Sequence, residues 1–457
     1  DGGKEKWPVG LTAVAGLSFS LSHVTEGIAV SVSGYSHKLF DLLSVLVEAI
    51  ANEELSKGRF VMFREIIGRS LANAGLGEPL PLARNLHDIA ISSFKWEITE
   101  YRRALASLTY DSFAAFVTSV RTSSAAATLY VHGNFTASRA RTESARIASL
   151  LDNFVPLPRS CFPAFRSPLL AAGPAGPWVL ERLSPDPVNI QSAVMNVYEV
   201  GVQSQEANAF VDLLVQLLDE RFFTKLRTEQ QLGYTVSVGV SGAGRVSRLR
   251  FSVQGSAASA PEVDAAIEAF LADFLGNVLP NLTQDELETN LASLAALTLK
   301  KKTSLVAAGA RVWGELSSLE YLFDRPHVEV AHLAAITRSS LLAFATKVLD
   351  PASPLRRKLS VRVHAAASSV GPPPPPGVDP ATGKPYIVID DPLAFRAAAT
   401  LAPASDKLPT WFIVPHVTEL DHPDDAWNAM LASENGHASA YSGSDSGSDS
   451  GSSDDDS

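Results

Sequence analysis

An arginine and a tyrosine in the stretch DERFFTKLRTEQQLGYTVSV, Asp219 to Val238, are the residues whose types and placement best suit chemistry. A helical pattern there runs into an alternating strand through Gly233. This puts Arg227 in the last turns of the helix and Tyr234 at the strand's first residue. Both side chains carry strong hydrogen-bond donors. Taken alone, such an arginine complements the helix dipole and such a tyrosine packs its ring. Other candidates are weaker. The ten histidines form neither H-E-x-x-H nor H-x-x-E-H, the spacings that put two imidazoles and a carboxylate on one helical face. The nearest approach, HVTEG from His23, has Gly27 where the second histidine belongs and sits in a turn between strands. Cys161 stands in a proline-rich loop without a neighbouring histidine, and no nucleophile elbow, Walker loop or dinucleotide fingerprint occurs in a strand-to-helix setting. Asn134 and Asn281 match the glycosylation triplet, as chance also provides. Lys300, Lys301 and Lys302 end a helical pattern that begins at Thr283, a position with the chemistry of an N-cap ahead of Glu286.

The elements that must hold these side chains emerge from a wider view. The chain has 457 residues, 46% of them hydrophobic, with a net charge of -11 and one cysteine. Length alone suggests about three domains at roughly 150 residues each. The apolar fraction excludes wholesale disorder, and no uncharged apolar run reaches the roughly 18 residues of a membrane span. A single cysteine excludes an internal disulfide scaffold, and the acidic balance disfavours nucleic acid. From Ser442 a Ser/Gly/Asp tail carries five acidic residues, so without it the charge is -6. The GPPPPPG run from Gly371 to Gly377 is a stiff spacer, and the stretch from Phe162 to Pro177 is rich in proline and glycine. These breaks predict a first body over 1–161, a linker over 162–177, a second body over 178–366, a poorly defined extension over 367–441, and a disordered tail over 442–457.

The two bodies repeat one plan. GLSFSL from Gly16 and IAVSVSG ending at Gly34 read as a strand hairpin, and so do GYTVSV from Gly233 and LRFSVQG ending at Gly255. A pair of helices follows each hairpin. A late strand closes each body: ATLYVHG ending at Gly133 and KLSVRVHA ending at Ala365. The fold class expected is α+β, with two homologous modules, each a mostly antiparallel sheet covered by helices. About 55 residues precede Gly233 in the second body and only 15 precede Gly16, so the first module is expected to be truncated at its N-terminus, with Asp1 inside it.

LRTEQQLGY, Leu226 to Tyr234, resembles the most characteristic stretch in the C-terminal half of insulysin-type peptidases, the M16 family. GLSFSL with VSVSGYSHK, LYVHGNFT from Leu129, WGEL from Trp313, EYLFDR from Glu320 and LRRKLSVRVHA from Leu355 agree in the same order, over roughly residues 12 to 366. The resemblance implies four α+β modules in two bowl-shaped halves, of which this chain looks like the third and fourth. The zinc site of such peptidases, H-x-x-E-H plus a distal Glu, belongs to the other half, so the resemblance implies zinc in a full-length enzyme and none bound by this chain. Arg227 and Tyr234 match the positions that reach a scissile peptide from across the chamber, where both can donate to its carbonyl oxygen. Lys300, Lys301 and Lys302 lie where relatives have a basic stretch associated with polyanions, here without the interleaved residues. The implied function is the substrate-chamber half of a zinc metalloendopeptidase, inactive alone. Its partners would be an N-terminal catalytic half, in the same or a separate chain, and extended peptides. Neither nucleic acid nor membrane is expected, and homo-oligomerisation stays open. The alternative is a non-catalytic partner of the same fold. An intracellular location, first of all cytoplasmic, fits the cysteine count, although a targeting segment would lie before Asp1.

Overall fold

The computed structural model describes residues 16–24, 27–74, 76–92, 94–158, 167–170, 177–243, 245–367 and 377–402. Cys161, the five consecutive prolines, the WFIV run from Trp411 and the acidic tail lie outside them. The architecture is α+β. In the first body, β1 (Leu17–Val24) and β2 (Gly27–Gly34) form the expected antiparallel hairpin, with Leu17 opposite Gly34. Helix α1 (Leu39–Asn52) buries Phe40, Leu43 and Val47 together with Ile147, against Val30 and Val32 of the hairpin. Helices α2 (Lys57–Asn73), α3 (Pro79–Ile91), α4 (Ile98–Ser107) and α5 (Tyr110–Arg121) follow, and later α6 (Ala137–Ser149), which supplies Ile147.

The predicted closing strand of this body does not form. Only β3 (Ser124–Ala125) is paired, in parallel with β4 (Val155–Pro156). Alternation reveals which faces a strand would have, not whether a partner exists to bond with it. Beyond Ala125 the chain instead runs past the helix that carries Trp313. Tyr130 stacks on that indole with ring centroids 6.3 Å apart, and His132 stacks on Tyr130 at 5.9 Å.

The second body holds a six-stranded sheet. Its members are β5 (Trp178–Leu183), β6 (Ser192–Val202), β7 (Thr235–Ala243), β8 (Val246–Gly255), β9 (Lys358–His364) and β10 (Ile387–Val388), in the spatial order β10-β5-β9-β6-β8-β7. The pairs from β9 to β7 are antiparallel, and β10, β5 and β9 are mutually parallel. Both faces are covered, which is why β9 is buried at every position. On one face, Val194, Tyr198, Leu249, Phe251 and Val253 pack under α7 (Gln205–Phe223), α8 (Ala260–Asp273), α9 (Gln284–Thr298), α11 (Arg325–Ala334) and α12 (Arg338–Leu349). Between α9 and α11 lies α10 (Leu305–Ser317), with Trp313. The opposite face, with Met195, Val197, Leu359, Val361 and Val363, packs under α3, a helix that belongs to the first body in sequence. Thr283 caps α9 as its chemistry suggested: its hydroxyl accepts from the Glu286 N–H while the Glu286 carboxylate accepts from its own. No single described helix is long and apolar enough to cross a membrane.

The stretch read as a poorly defined extension differs from that expectation over residues 377–402. Strand β10 adds to β5, and α13 (Pro392–Ala398), capped by Asp391, sets Phe395 edge-on to Trp178 at 5.0 Å. The same stretch completes a buried ionic cluster under α8. Lys358 Nζ donates to Asp264 at 2.9 Å and to Asp379 at 2.7 Å, and it pairs with Glu268 at 2.7 Å. Arg362 pairs with Asp264 at 2.5 Å and with Glu181 at 2.8 Å, and Arg356 donates to Glu268 at 2.7 Å. Tyr386 and Asn196 donate to Asp264 as well. Burial alone would raise the Asp264 carboxyl. The Lys358 and Arg362 charges, with the Tyr386 and Asn196 donors, outweigh burial and hold it far below the usual carboxylate range.

Candidate functional site

Helix α7 does not stop at Phe223. It continues as a wider π-type turn over Thr224–Glu229, and Arg227 lies on that turn. Leu226 anchors the turn in the core, one position from Arg227. Just before it, Phe222 meets Phe251 and Phe270 edge-on, at 5.4 and 5.2 Å. The Gln230 N–H donates to the Lys225 carbonyl at 3.1 Å and the Leu232 N–H to the Leu226 carbonyl at 2.9 Å. With Gln231 in the left-handed region at φ 54°, these bonds reverse the chain into Gly233. Tyr234 then precedes β7 by one residue rather than opening it.

The turn brings the two candidate residues together. The Arg227 guanidinium carbon lies 4.4 Å from the centroid of the Tyr234 ring and 4.9 Å from that of Phe223. Such stacking holds a planar cation by its face and leaves its N–H edges free. Neither side chain makes a hydrogen bond or ion pair among the described residues, and Tyr234 is 80% exposed. The site therefore presents a guanidinium fork and a phenol hydroxyl side by side, with their donors unengaged. Sequence reasoning missed Phe223, although its i,i+4 spacing to Arg227 on a helix was a readable signal.

Two glycines make this geometry. A Cβ at Gly233 would stand 2.2 Å from the Gln254 carbonyl oxygen, and one at Gly255 would stand 2.3 Å from the Leu232 carbonyl oxygen. The turn can cross the end of β8 only where both residues lack side chains. The first body solves the same problem in the same way: a Cβ at Gly34 would lie 2.4 Å from the Gly16 carbonyl oxygen. Gln254 in turn accepts from the Leu80 N–H at 2.9 Å and donates to Gln191 at 2.7 Å, so the crossing is tied to α3. Replacing Gly233 by Ala should cost about 1–3 kcal/mol of stability. It should also shift the Tyr234 ring off Arg227, as read from the thermal midpoint and near-ultraviolet circular dichroism. Unchanged values on both would show that the close approach is dispensable.

The three lysines are not part of this arrangement. Helix α9 ends at Thr298, so Lys300, Lys301 and Lys302 follow the helix rather than closing it. Adjacent like charges favour an open chain there, and Ser304 already caps α10. All three are exposed, without ion pairs among the described residues. No group of three or more His, Cys, Asp or Glu side chains suited to a metal converges among the described residues. The described residues therefore do not compose a zinc site.

Comparison with known proteins bears on the family and the fold. Residues 11–104 match the middle or third domain of peptidase M16, and residues 213–313 match the C-terminal lobe domain 4 of PQQ synthase PqqF-like proteins. The insulin-degrading enzyme of Bos taurus is 30% identical over 355 residues, covering 77% of this chain and 34% of the relative. Nardilysin of Rattus norvegicus is 28% identical over 355 residues, covering 77% of this chain and 30% of its own length. The chain thus spans about a third of the length of the curated relatives it matches. The crystal structure of pitrilysin shares the fold with a TM-score of 0.74 at 19% identity, over 86% of this chain and 40% of pitrilysin. A peptidase M16 inactive domain from Pseudomonas fluorescens does so with a TM-score of 0.54 at 15% identity, over 78% of this chain and 82% of that domain. With domain-level matches in chain order, a 30% identical relative and a shared fold, the chain belongs to the M16 peptidase family as an insulysin-like member.

Proposed function

We propose that this chain is the C-terminal, substrate-chamber half of an insulysin-like zinc metalloendopeptidase. The observation that carries the reading is the stacked pair of Arg227 and Tyr234, whose donors engage nothing else in the described structure. An extended peptide laid across this surface would place a carbonyl oxygen within reach of both. The donors then strengthen as negative charge develops on that oxygen during hydrolysis. Zinc held by an N-terminal half would activate the attacking water. The residues of this chain bind, orient and stabilise. A cytoplasmic location is part of the same proposal.

The chain alone is expected to leave a fluorogenic peptide uncut and to gain turnover when combined with an N-terminal half bearing H-x-x-E-H. Chelator-sensitive cleavage by the chain alone would overturn this division of labour. A second reading, a non-catalytic partner, is favoured by the match to the inactive M16 domain over most of both chains. An H-x-x-E-H in the same polypeptide supports the peptidase reading. Co-purification with a separate chain that carries the motif supports the partner.

A further inference from the structure

Helix α3 runs along β8 in a fixed register. At one end the Leu80 N–H donates to Gln254, and at the other Arg248 and the Ile91 carbonyl share Ser167 as a hydrogen-bond partner. Alternation along β8 aims Arg248, Arg250, Ser252 and Gln254 at the helix, since Leu249, Phe251 and Val253 fill the opposite core. Arg84, His87 and Asp88 of α3 fall between the two anchored ends. The charges of Arg248 and Arg250 act on His87, and those of Arg84 and Asp88 act on Arg250, so these groups lie near one another between helix and strand. Across the strand pair, Gly239 of β7 stands opposite Arg250. A Cβ at Gly239 would come within 3.1 Å of the Arg250 Nη2, so the glycine leaves that guanidinium its room.

The polar groups in this space are incompletely matched. His87 is 2% exposed and Ser252 fully buried, yet His87 Nε2 and Ser252 Oγ have no hydrogen-bond partner among the described residues. Arg250 Nε and two nitrogens of the fully buried Arg248 are also unpartnered. Arg248 is answered by Glu199 at 3.0 Å and Asp88 by Lys95 at 2.7 Å. Arg84 and Arg250 have no ion-pair partner among the described residues. Asp88 is held ionised by its partners, so His87 Nδ1, 3.1 Å from its Oδ1, is the nitrogen that carries the proton. Burial keeps the His87 ring neutral, which leaves Nε2 a bare acceptor on a ring that feels the Arg248 and Arg250 charges.

A buried water could donate to Nε2, but it would add no charge opposite Arg84 and Arg250, and the carboxylate that acts on Arg250, Asp88, already pairs with Lys95. Sulfate or a carboxylate would supply charge without a proton to give. Hydrogen phosphate supplies both. We propose that Arg84, His87, Arg250 and Ser252 form a site for free inorganic phosphate, whose P–OH donates to His87 Nε2 and whose charged oxygens accept from the two arginines and Ser252. Arg84 is exposed, and the Gly239 side of the space is only half-buried, so an ion can reach it from the β7 edge.

Calorimetric titration of inorganic phosphate into the chain at pH 8, in a zwitterionic buffer, tests this. Saturable binding at one site is expected, with sulfate and O-phosphoserine roughly tenfold weaker, because at that pH neither carries the proton. Arg84→Gln, a surface change, should weaken phosphate roughly tenfold, and Arg250→Gln should abolish binding. Phosphate should raise the thermal midpoint of the parent but not of Arg250→Gln, which also reports whether that variant is folded. No saturable heat with phosphate in the millimolar range would mean that the space holds water only and would overturn the proposal. Equal affinity for sulfate or phosphoserine, or unchanged affinity in Arg84→Gln, would overturn it as well.

Discussion

Replacing Lys358 by Met should lower the stability of the fold by about 3–5 kcal/mol, because the side chain is fully buried among carboxylates. Methionine keeps nearly the same volume, so the loss comes from charge rather than from a cavity. Asp264, Glu268 and Asp379 would each lose a partner in a place where water cannot replace it. Arg356 and Arg362 would still neutralise part of the cluster, which keeps the expected cost within this range rather than above it. Lys95→Met is the control. Its pair with Asp88 at 2.7 Å is solvent-exposed, and such pairs contribute about 0–1 kcal/mol. Urea unfolding of the two variants should separate them by several kcal/mol, and a Lys358→Met loss below about 1 kcal/mol would mean that water or rearranged arginines compensate.

The sign of the pH dependence follows from the same cluster. The folded Asp264 carboxyl is held below its unfolded value, so its contribution is fully present above about pH 4 and is lost as pH falls further. Lys358 is shifted the other way by the same carboxylates, because their charges outweigh the effect of burial. Its contribution is complete below about pH 10 and declines above that. In Lys358→Met the Asp264 carboxyl loses its strongest cation, so acid unfolding should become less steep below about pH 4.

Local features of this fold were legible and distant ones were not. The hairpins at Gly16–Gly34 and Gly233–Gly255 and the Thr283 cap depend on residues within a few positions or on simple alternation. The ionic cluster joins Asp264 to Tyr386 and Lys358 to Asp379, the latter across a run of five prolines that reads as a spacer. No periodicity encodes such pairings. Helix α3 shows the same limit. Its apolar residues mark a buried face, but not that the face covers the sheet of the second body. At the candidate site, the segment was readable as a helix running into a strand. The stacking of Arg227 on Tyr234 depends on the π-type turn and on Gln231 in the left-handed region, neither of which a helical pattern announces.

Changing Tyr234 to Phe should reduce kcat roughly 10²–10³-fold in the enzyme assembled with a zinc-bearing N-terminal half, with little change in KM. The substitution removes one hydroxyl and keeps the ring, so the Arg227 guanidinium retains an aromatic face at its present 4.4 Å spacing. A donor that strengthens only as charge develops on the substrate oxygen lowers the barrier without tightening ground-state binding. A ring used merely for packing would show the reverse, an altered stability and an unaltered kcat. Arg227→Lys adds an independent arm, since lysine keeps the charge but loses the planar fork. The two changes should combine to less than the product of their separate effects, because the side chains touch and serve one oxygen. Unchanged kcat in Tyr234→Phe would return the pair to a structural role, and fully multiplicative effects in the double variant would show that the two side chains do not serve one oxygen.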